Sequence, residues 1–401
     1  MREILGLCKE CSLNFKTVPS MGELINGKIT FNEIRNVEYR DLLGRKPINL
    51  DNISIGGYLK GKTVLVTGAG GSIGSGLCRQ IAKYSPGCLI LFERAESPLY
   101  DGELELRRQF PFVTFISVLG DIQNQFELQK LFQEVSPEIV FHAAAYKHVP
   151  ILEVQPWKAI ENNICGTENL VNMAVAHGCE KFVFVSTDKA VNPVNIMGAS
   201  KRVSEMIVQN RSFTGNSSTS FMTVRFGNVI GSVGSVIPLF KKQIKMGGPV
   251  TVTHPEMIRY FMLIPEACQL ILQAGAMGKG GEIFILEMGQ PVKIDEMARD
   301  LIKFSGFEPD VDIHIEYTGL RPGEKLYEEL MTDTENVLET HHESIMVLNG
   351  ERCDMKVING SIEKLKSAAR NRDPDHIKLI LKSIVPEYEP FRNQNHKNLA
   401  N

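Results

Sequence analysis

Residues 63–82, TVLVTGAGGSIGSGLCRQIA, decide the fold. The first five suit a buried strand, Thr67 to Gly74 form a glycine-rich turn, and Leu77, Ile81 and Ala82 continue at helical spacing. Glycines at 68, 71 and 74 let the backbone turn sharply, approach a pyrophosphate and pack helix on strand, with the phosphates at the helix N-terminus. A plain tight turn would also use glycine. Strand, turn, helix and a later acidic residue nevertheless agree on dinucleotide binding by Gly68, Gly70, Gly71, Ser72, Ile73 and Gly74.

Working outward, the acidic residue is Glu93, nineteen positions after Gly74 at the end of a second apolar run. A carboxylate there accepts hydrogen bonds from an adenosine ribose and repels a 2′-phosphate, which favours NAD over NADP; Arg94 beside it could receive that phosphate. Asp121 and Ile122 follow a third run and stand where an adenine would lie, and Asp121 could equally be a helix cap. The fourth run ends in Ala143, Ala144 and Ala145, small enough to leave a cofactor room. Runs at 63–67, 88–92, 112–117, 138–142, 181–186, 221–226 and 282–286 alternate with helical stretches. Near-continuous apolar strands of this kind are covered on both faces, so the fold class is α/β, a Rossmann-like doubly wound parallel sheet. Residues 1–57 read as an arm, 58–230 with about 263–290 as the dinucleotide-binding domain, and 231–262 with 291–401 as a smaller C-terminal substrate-binding lobe and tail.

The 401 residues are 43% hydrophobic and 23% charged, enough for a large core. The net charge of −3 comes without a basic block, which argues against nucleic acid as a partner. Eight cysteines scattered through a long chain without a signal peptide fit free thiols in a reducing compartment, so the cytoplasm is expected. Cys8 and Cys11 make one CxxC with no second pair at zinc spacing, so no metal site is expected. No apolar run reaches the roughly 18 residues that span a bilayer.

The fifth strand ends in Ser186-Thr187-Asp188-Lys189, and a helix begins ten residues beyond Thr187 with Met197-Gly198-Ala199-Ser200-Lys201. A hydroxyl, an acid and an amine at the carboxyl end of a buried strand face the crevice where ligands of such sheets bind. A solvated loop followed by a helix cap is the plain alternative. With the glycine loop, these segments resemble the nucleotide-sugar 4,6-dehydratases of bacterial polysaccharide and glycan biosynthesis, which are extended short-chain dehydrogenase/reductases. Residues 225–229, 231–236, 259–261 and 319–326 extend the likeness, which covers roughly residues 15–350.

The resemblance implies NAD as cofactor and UDP-N-acetylglucosamine as substrate. A hydride leaves sugar carbon 4, the resulting ketone acidifies carbon 5, water is eliminated across carbons 5 and 6, and the hydride returns to carbon 6. Elimination needs an acid and a base; Lys189 is the candidate base at carbon 5 and Asp188 the candidate acid for the departing hydroxyl. Lys201 is expected at the nicotinamide ribose, lowering the pKa of nearby hydroxyls by its charge. Most short-chain dehydrogenases carry tyrosine four residues before that lysine, on the same helix face; here the position is Met197. A thioether has no transferable proton, which leaves Thr187, Asp188 or a bound water to relay the proton of the 4-hydroxyl. The large, typically membrane-anchored branch of the family carries methionine there, whereas the carbon-5-inverting enzymes carry tyrosine, so retention at carbon 5 is expected.

Arg259 and Arg321 are candidates for the diphosphate, since a guanidinium fork grips two phosphate oxygens. Asn228, Ser235, Glu324, Lys147 and His148 are expected around nucleotide and sugar. A carbon-5-inverting dehydratase, a sugar 4-epimerase and a noncatalytic NAD-binding regulator are the alternative functions. Val18-Pro19-Ser20 and residues 41–45 resemble the connector that follows membrane-spanning helices in large family members. They suggest a catalytic part acting at the inner face of the cytoplasmic membrane through a segment absent here, with a freely soluble enzyme as the alternative. By the same analogy, helices opening near Gln155 and Met197 would form the bundle of a homo-oligomer.

Overall fold

The computed structural model describes residues 48–213, 218–332, 335–349 and 355–390. Nine strands form one sheet: β1 (Thr63–Thr67), β2 (Cys88–Glu93), β3 (Phe115–Leu119), β4 (Ile139–His142), β5 (Lys181–Val185), β6 (Ser220–Arg225), β7 (Glu282–Leu286), β8 (Val337–Glu339) and β9 (Ile345–Asn349). Their spatial order is β3-β2-β1-β4-β5-β6-β7-β9-β8. β1 to β7 pair in parallel, and β9 and β8 add an antiparallel edge. The chain runs outward from β1 to β3 and then crosses back to β4, so the order reverses between β1 and β4. At such a switch point a crevice opens beyond the carboxyl ends of the strands.

Alternation along each strand feeds two separate cores. Leu65, Ile90, Val140, Phe182 and Phe184 point to one face, where helices spanning 156–213 cover them. Val64, Val66, Leu89, Ile139 and Val183 point to the other, against the helices Ser72–Ala82 and Ile264–Met277. Each such side chain contributes about 1.5–3 kcal/mol relative to exposure, which is why uninterrupted apolar runs are stable only in this two-sided setting. The smaller lobe builds its own core from Ile237, Phe240 and Ile244 of helix Val236–Lys245 and Met297 and Leu301 of helix Ile294–Phe304.

Three expectations are corrected. The third strand is not 112–117 but 115–119, because its register is set by pairing with β2 from Leu89↔Phe115 to Glu93↔Leu119; Phe112 is fully exposed in the preceding turn. The arm does not stop at 57: helix Asn52–Leu59 buries Ile55 and Leu59 in the main core, and the Tyr58 hydroxyl donates to the Leu272 carbonyl. Nor does 291–401 lie wholly in the substrate lobe. β8 and β9 join the central sheet, and helices Met355–Arg370 and Pro374–Ile384 pack Ile362, Leu365, Ile377 and Leu381 into the core beneath helices 156–165 and Ile196–Phe213. The helices expected to pair between subunits are therefore covered on this side by the chain's own C-terminal pair.

The described cysteines, Cys78, Cys88, Cys165, Cys179 and Cys268, are free thiols. No helix among the described residues is long and apolar enough to cross a membrane. Cys8, Cys11, residues 18–20 and residues 41–45 lie outside the described residues.

Candidate active site

A cavity of about 830 Å³ fills the crevice and runs from the glycine loop to the smaller lobe. Its floor is local backbone geometry. Gly68 follows β1 with φ +70°, and a Cβ there would stand 2.8 Å from the Ala144 nitrogen; at Gly74 it would stand 1.9 Å from the Gly68 carbonyl oxygen. The loop thus closes tightly on the 143–145 wall and starts helix Ser72–Ala82, whose first backbone N–H groups form an anion site. Glu93 at the end of β2 fixes this arrangement, accepting from Gly70 N at 3.0 Å and from the backbone of Arg94 and Ala95. Arg94 stacks on Tyr146 at the cavity's border, 4.3 Å from the ring centroid. Asp121 accepts from Gln123 N in its own turn, while Asn124 caps helix Gln125–Val135, so the helix-cap alternative for Asp121 falls away.

Behind the wall lies an arrangement that sequence reasoning missed. Residues Ile160–Cys165 form a π-helical turn, and such wider turns displace side chains from their helical positions. Here Asn163 is aimed at the loop: its amide accepts from Tyr146 N at 2.9 Å and donates to Tyr146 O and Ser200 Oγ. Buried His142 is clamped between Thr67 at 2.8 Å and Thr167 at 3.0 Å. Burial, with Lys201 adding to it, holds this imidazole well below its ordinary pKa, so it is a neutral structural link.

On the opposite wall β5 ends at Val185, Ser186 and Thr187 follow, and Asp188–Ala190 coil into a single 3₁₀ turn. Thr187 and Lys189 border the cavity; Asp188 sits one layer behind them, 1% exposed. Its Oδ1 accepts from Thr187 Oγ1 at 2.8 Å and from Lys189 Nζ at 3.0 Å. Its Oδ2, packed against Gly227, has no hydrogen-bond partner. Lys189 Nζ also donates to Asn228 Oδ1 at 3.3 Å and lies 3.6 Å from Glu328 Oε1. Burial alone would depress the Lys189 amine, but the Asp188 and Glu328 carboxylates more than reverse this and keep it an ammonium. Met197 and Lys201 line the same wall from helix Ile196–Phe213. Lys201 Nζ donates to Val185 O at 2.7 Å and lies 3.9 Å over the Phe184 ring; burial pushes its pKa down to about 7.

Every predicted site residue borders this cavity except Asp188. The two arginines differ in kind. The Arg259 fork borders the cavity, donates to the carbonyls of Ile258, Lys325 and Leu326 and faces Glu324 and Glu328 at 3.9 and 3.7 Å. Arg321 is exposed at the rim, where Glu324 accepts from its backbone N–H. Lys147 reaches across to Val233 O, His148 packs on Gly234, and Ser235 Oγ donates to Ser232 O; together they edge the opening between the lobes. Glu328, which the sequence did not single out, is the cavity's buried carboxyl.

With this geometry in hand, similarity to known proteins adds a family. Residues 64–350 match the model of a family described as polysaccharide biosynthesis protein. The chain is 50% identical over 336 residues to the capsular polysaccharide biosynthesis protein CapD of Staphylococcus aureus, covering 84% of this chain and 56% of that one; it therefore spans about half that relative's length. It is 32% identical over 292 residues to the UDP-N-acetylglucosamine 4,6-dehydratase (inverting) of Campylobacter jejuni, covering 72% of this chain and 83% of that one. Among solved structures it resembles Pen from Bacillus thuringiensis, with a TM-score of 0.68, 35% identity, and coverage of 73% of this chain and 90% of that one.

Proposed function

This chain belongs to the polysaccharide biosynthesis protein family, and we propose that it is an NAD-dependent 4,6-dehydratase of UDP-N-acetylglucosamine that retains the configuration at carbon 5. The observation that carries this reading is a single cavity bordered both by the glycine loop and by Thr187, Lys189 and Glu328. The cradle at Gly68 and Gly74, which a Cβ would fill, fits a pyrophosphate, and the Glu93 carboxylate fits an adenosine ribose. Held there, NAD would supply the hydride chemistry, removal at sugar carbon 4 and return at carbon 6.

The chain's own groups supply the rest. Arg321 at the rim meets the diphosphate, and Asn228 and Ser235 orient the nucleotide sugar. Thr187, hydrogen-bonded to Asp188, is the hydroxyl through which the 4-hydroxyl proton leaves, since Met197 carries none to exchange. Lys189 and the carboxyls around it provide the acid and base of elimination. A sugar 4-epimerase would use the same cofactor and hydride step but no acid–base pair at carbons 5 and 6, so the buried Asp188, Lys189 and Glu328 set favours dehydration. Retention rests on Met197, with the family resemblance as its support; a relative at 32% identity carries the inverting description. Incubation with UDP-N-acetylglucosamine in deuterated water tests both points. A 4-keto-6-deoxy product with deuterium at carbon 5 and unchanged configuration by proton NMR is expected; absence of a 4-keto product sinks the reading.

Two further outcomes follow from the same geometry. Gly74→Ala puts a methyl 1.9 Å from the Gly68 oxygen, and overpacking of about 1–3 kcal/mol in the loop weakens NAD binding roughly five- to hundredfold, measurable by calorimetric titration. Lys201 binds its proton less readily folded than unfolded, its pKa lying near 7 against an ordinary 10.5. The unfolded chain therefore holds more protons between those values, and this group makes stability rise with pH across that window. Urea midpoints at pH 7 and pH 9 should show that rise in the parent chain and its loss in Lys201→Met.

A further inference from the structure

The side chain of Asn195 joins the rim of the cavity to its reacting wall. Only 4% exposed, it stands at the start of helix Ile196–Phe213, which carries Met197 and Lys201. Its Oδ1 accepts from Gly198 N at 2.7 Å and its backbone carbonyl from Ala199 N at 3.0 Å, the pattern of a helix N-cap. Glu153 Oε1 takes the Ile196 N–H at 2.6 Å, so this first turn has a second holder. The Asn195 Nδ2 points the other way and donates to the buried carbonyl of Gly323 at 2.8 Å. Gly323 belongs to the tight turn 321–324, closed by Glu324 N donating to Arg321 O at 3.0 Å and by Arg321 N donating to Glu324 Oε2 at 3.1 Å. With φ +74°, Gly323 lies so flat on the helix start that a Cβ there would stand 2.8 Å from the Asn195 Cβ and 3.4 Å from the Glu153 Cγ. The helix start rests in its turn on the reacting wall: a Cβ on Gly198 would meet the Lys189 carbonyl oxygen at 2.0 Å. A continuous path of contacts thus runs from the Arg321 turn through Asn195 and Gly198 to the backbone of Lys189.

We propose that Asn195 is a positioning residue that seats the Arg321 turn on the start of helix Ile196–Phe213, so that one side chain sets both the grip on the substrate's diphosphate and the placement of the reacting wall. The inference rests on the dehydratase reading and deepens it. An amide suits this place because it carries an acceptor and a donor aimed in opposite directions. Without the donor, the Gly323 carbonyl is left buried and unpaired, and the turn moves outward toward water, taking Arg321 away from the diphosphate. The cap acts elsewhere, on the first helical turn and through it on Lys189. The two arms of the amide therefore have separable effects, Nδ2 on nucleotide affinity and Oδ1 on turnover. Serine divides them: its hydroxyl caps a helix as well as an amide does, but its single short arm cannot also reach Gly323.

The test is Asn195→Ser in the full chain, with UDP binding measured by calorimetric titration and turnover measured on UDP-N-acetylglucosamine. The Kd for UDP should rise roughly tenfold, as expected when a buried carbonyl loses its partner, and the KM for the nucleotide sugar should rise with it. The kcat, the NAD affinity and the urea midpoint should stay close to the parent's. Asn195→Ala, which removes both arms, should show the same rise in KM and a fall in kcat besides. Gly323→Ala pushes the turn off the Asn195 Cβ and should weaken UDP binding by itself, yet add little in the Asn195→Ser background, because both changes break one contact. UDP affinity close to the parent's in Asn195→Ser, or additive losses in the double variant, would overturn the assignment. So would parallel losses of UDP affinity, NAD affinity and urea midpoint, which would make Asn195 a purely structural part. A parent chain that binds no UDP and forms no 4-keto product would instead bring down the dehydratase reading beneath it.

Discussion

Lys189→Ala loses at least about a hundredfold of turnover on UDP-N-acetylglucosamine while NAD affinity stays within a few-fold of the parent, the size expected when a group that moves a proton in the transition state is removed. The separation follows from position. Lys189 borders the cavity on the β5 side and bonds to Asp188 and Asn228, whereas the glycine loop and Glu93 are held by contacts of their own. Asp188→Asn should cost a comparable factor by a different route. An amide can still accept from Thr187 and Lys189, so the geometry survives, but the negative charge that holds the ammonium is gone. Single-turnover measurements with saturating NAD and a separate NAD titration would check both. Near-parent turnover in either variant would remove that residue from the chemistry.

The cavity's two halves differ in how far the sequence discloses them, for physical reasons. The glycine loop, Glu93 and the alanine wall are legible because backbone geometry dictates residue type locally: Gly68 and Gly74 admit no side chain. Thr187 and Lys189 are legible as polar residues at the end of an apolar strand. That Asp188 turns inward is not, because the chain leaves β5 in a 3₁₀ turn, where the alternation that assigns faces in a strand no longer applies. Glu328 comes from a distant loop, in Tyr327-Glu328-Glu329, and nothing local tells a buried carboxyl from its exposed neighbour. Asn163 is hidden for a similar reason, since its aim depends on a π turn that carries no sequence signature. Short β8 and β9 are unreadable as sheet strands because antiparallel pairing, of β9 with β7 and of β8 with β9, is a tertiary matter and is what makes them so.

Stability should respond to a different pair, Glu205 and Arg225. Both are buried, at 0% and 1% exposure, and they meet in a two-pronged pair with Nε–Oε1 at 2.9 Å and Nη2–Oε2 at 2.7 Å. Ser186 donates to Glu205 at 2.6 Å, and Glu335 takes the remaining Arg225 prong at 2.9 Å. Glu205→Ala leaves a guanidinium in the core with one partner and should destabilise the fold by about 3–5 kcal/mol, read as a lowered urea midpoint. Replacing both residues by methionine should cost far less, since no uncompensated charge is then buried. The pH dependence has a definite sign. Burial opposes the Glu205 charge, but Arg225 prevails and holds its pKa below the ordinary 4.5, so the pair's stabilisation is complete above about that pH and disappears as the pH falls through the lowered folded value. Because Ser186 immediately precedes Thr187, the pair also anchors the strand end that carries the reacting groups. Glu205→Ala should therefore lower the urea midpoint far more than it lowers turnover per folded molecule, the reverse of Lys189→Ala, and equal effects on both quantities in either variant would refute this division between scaffold and chemistry.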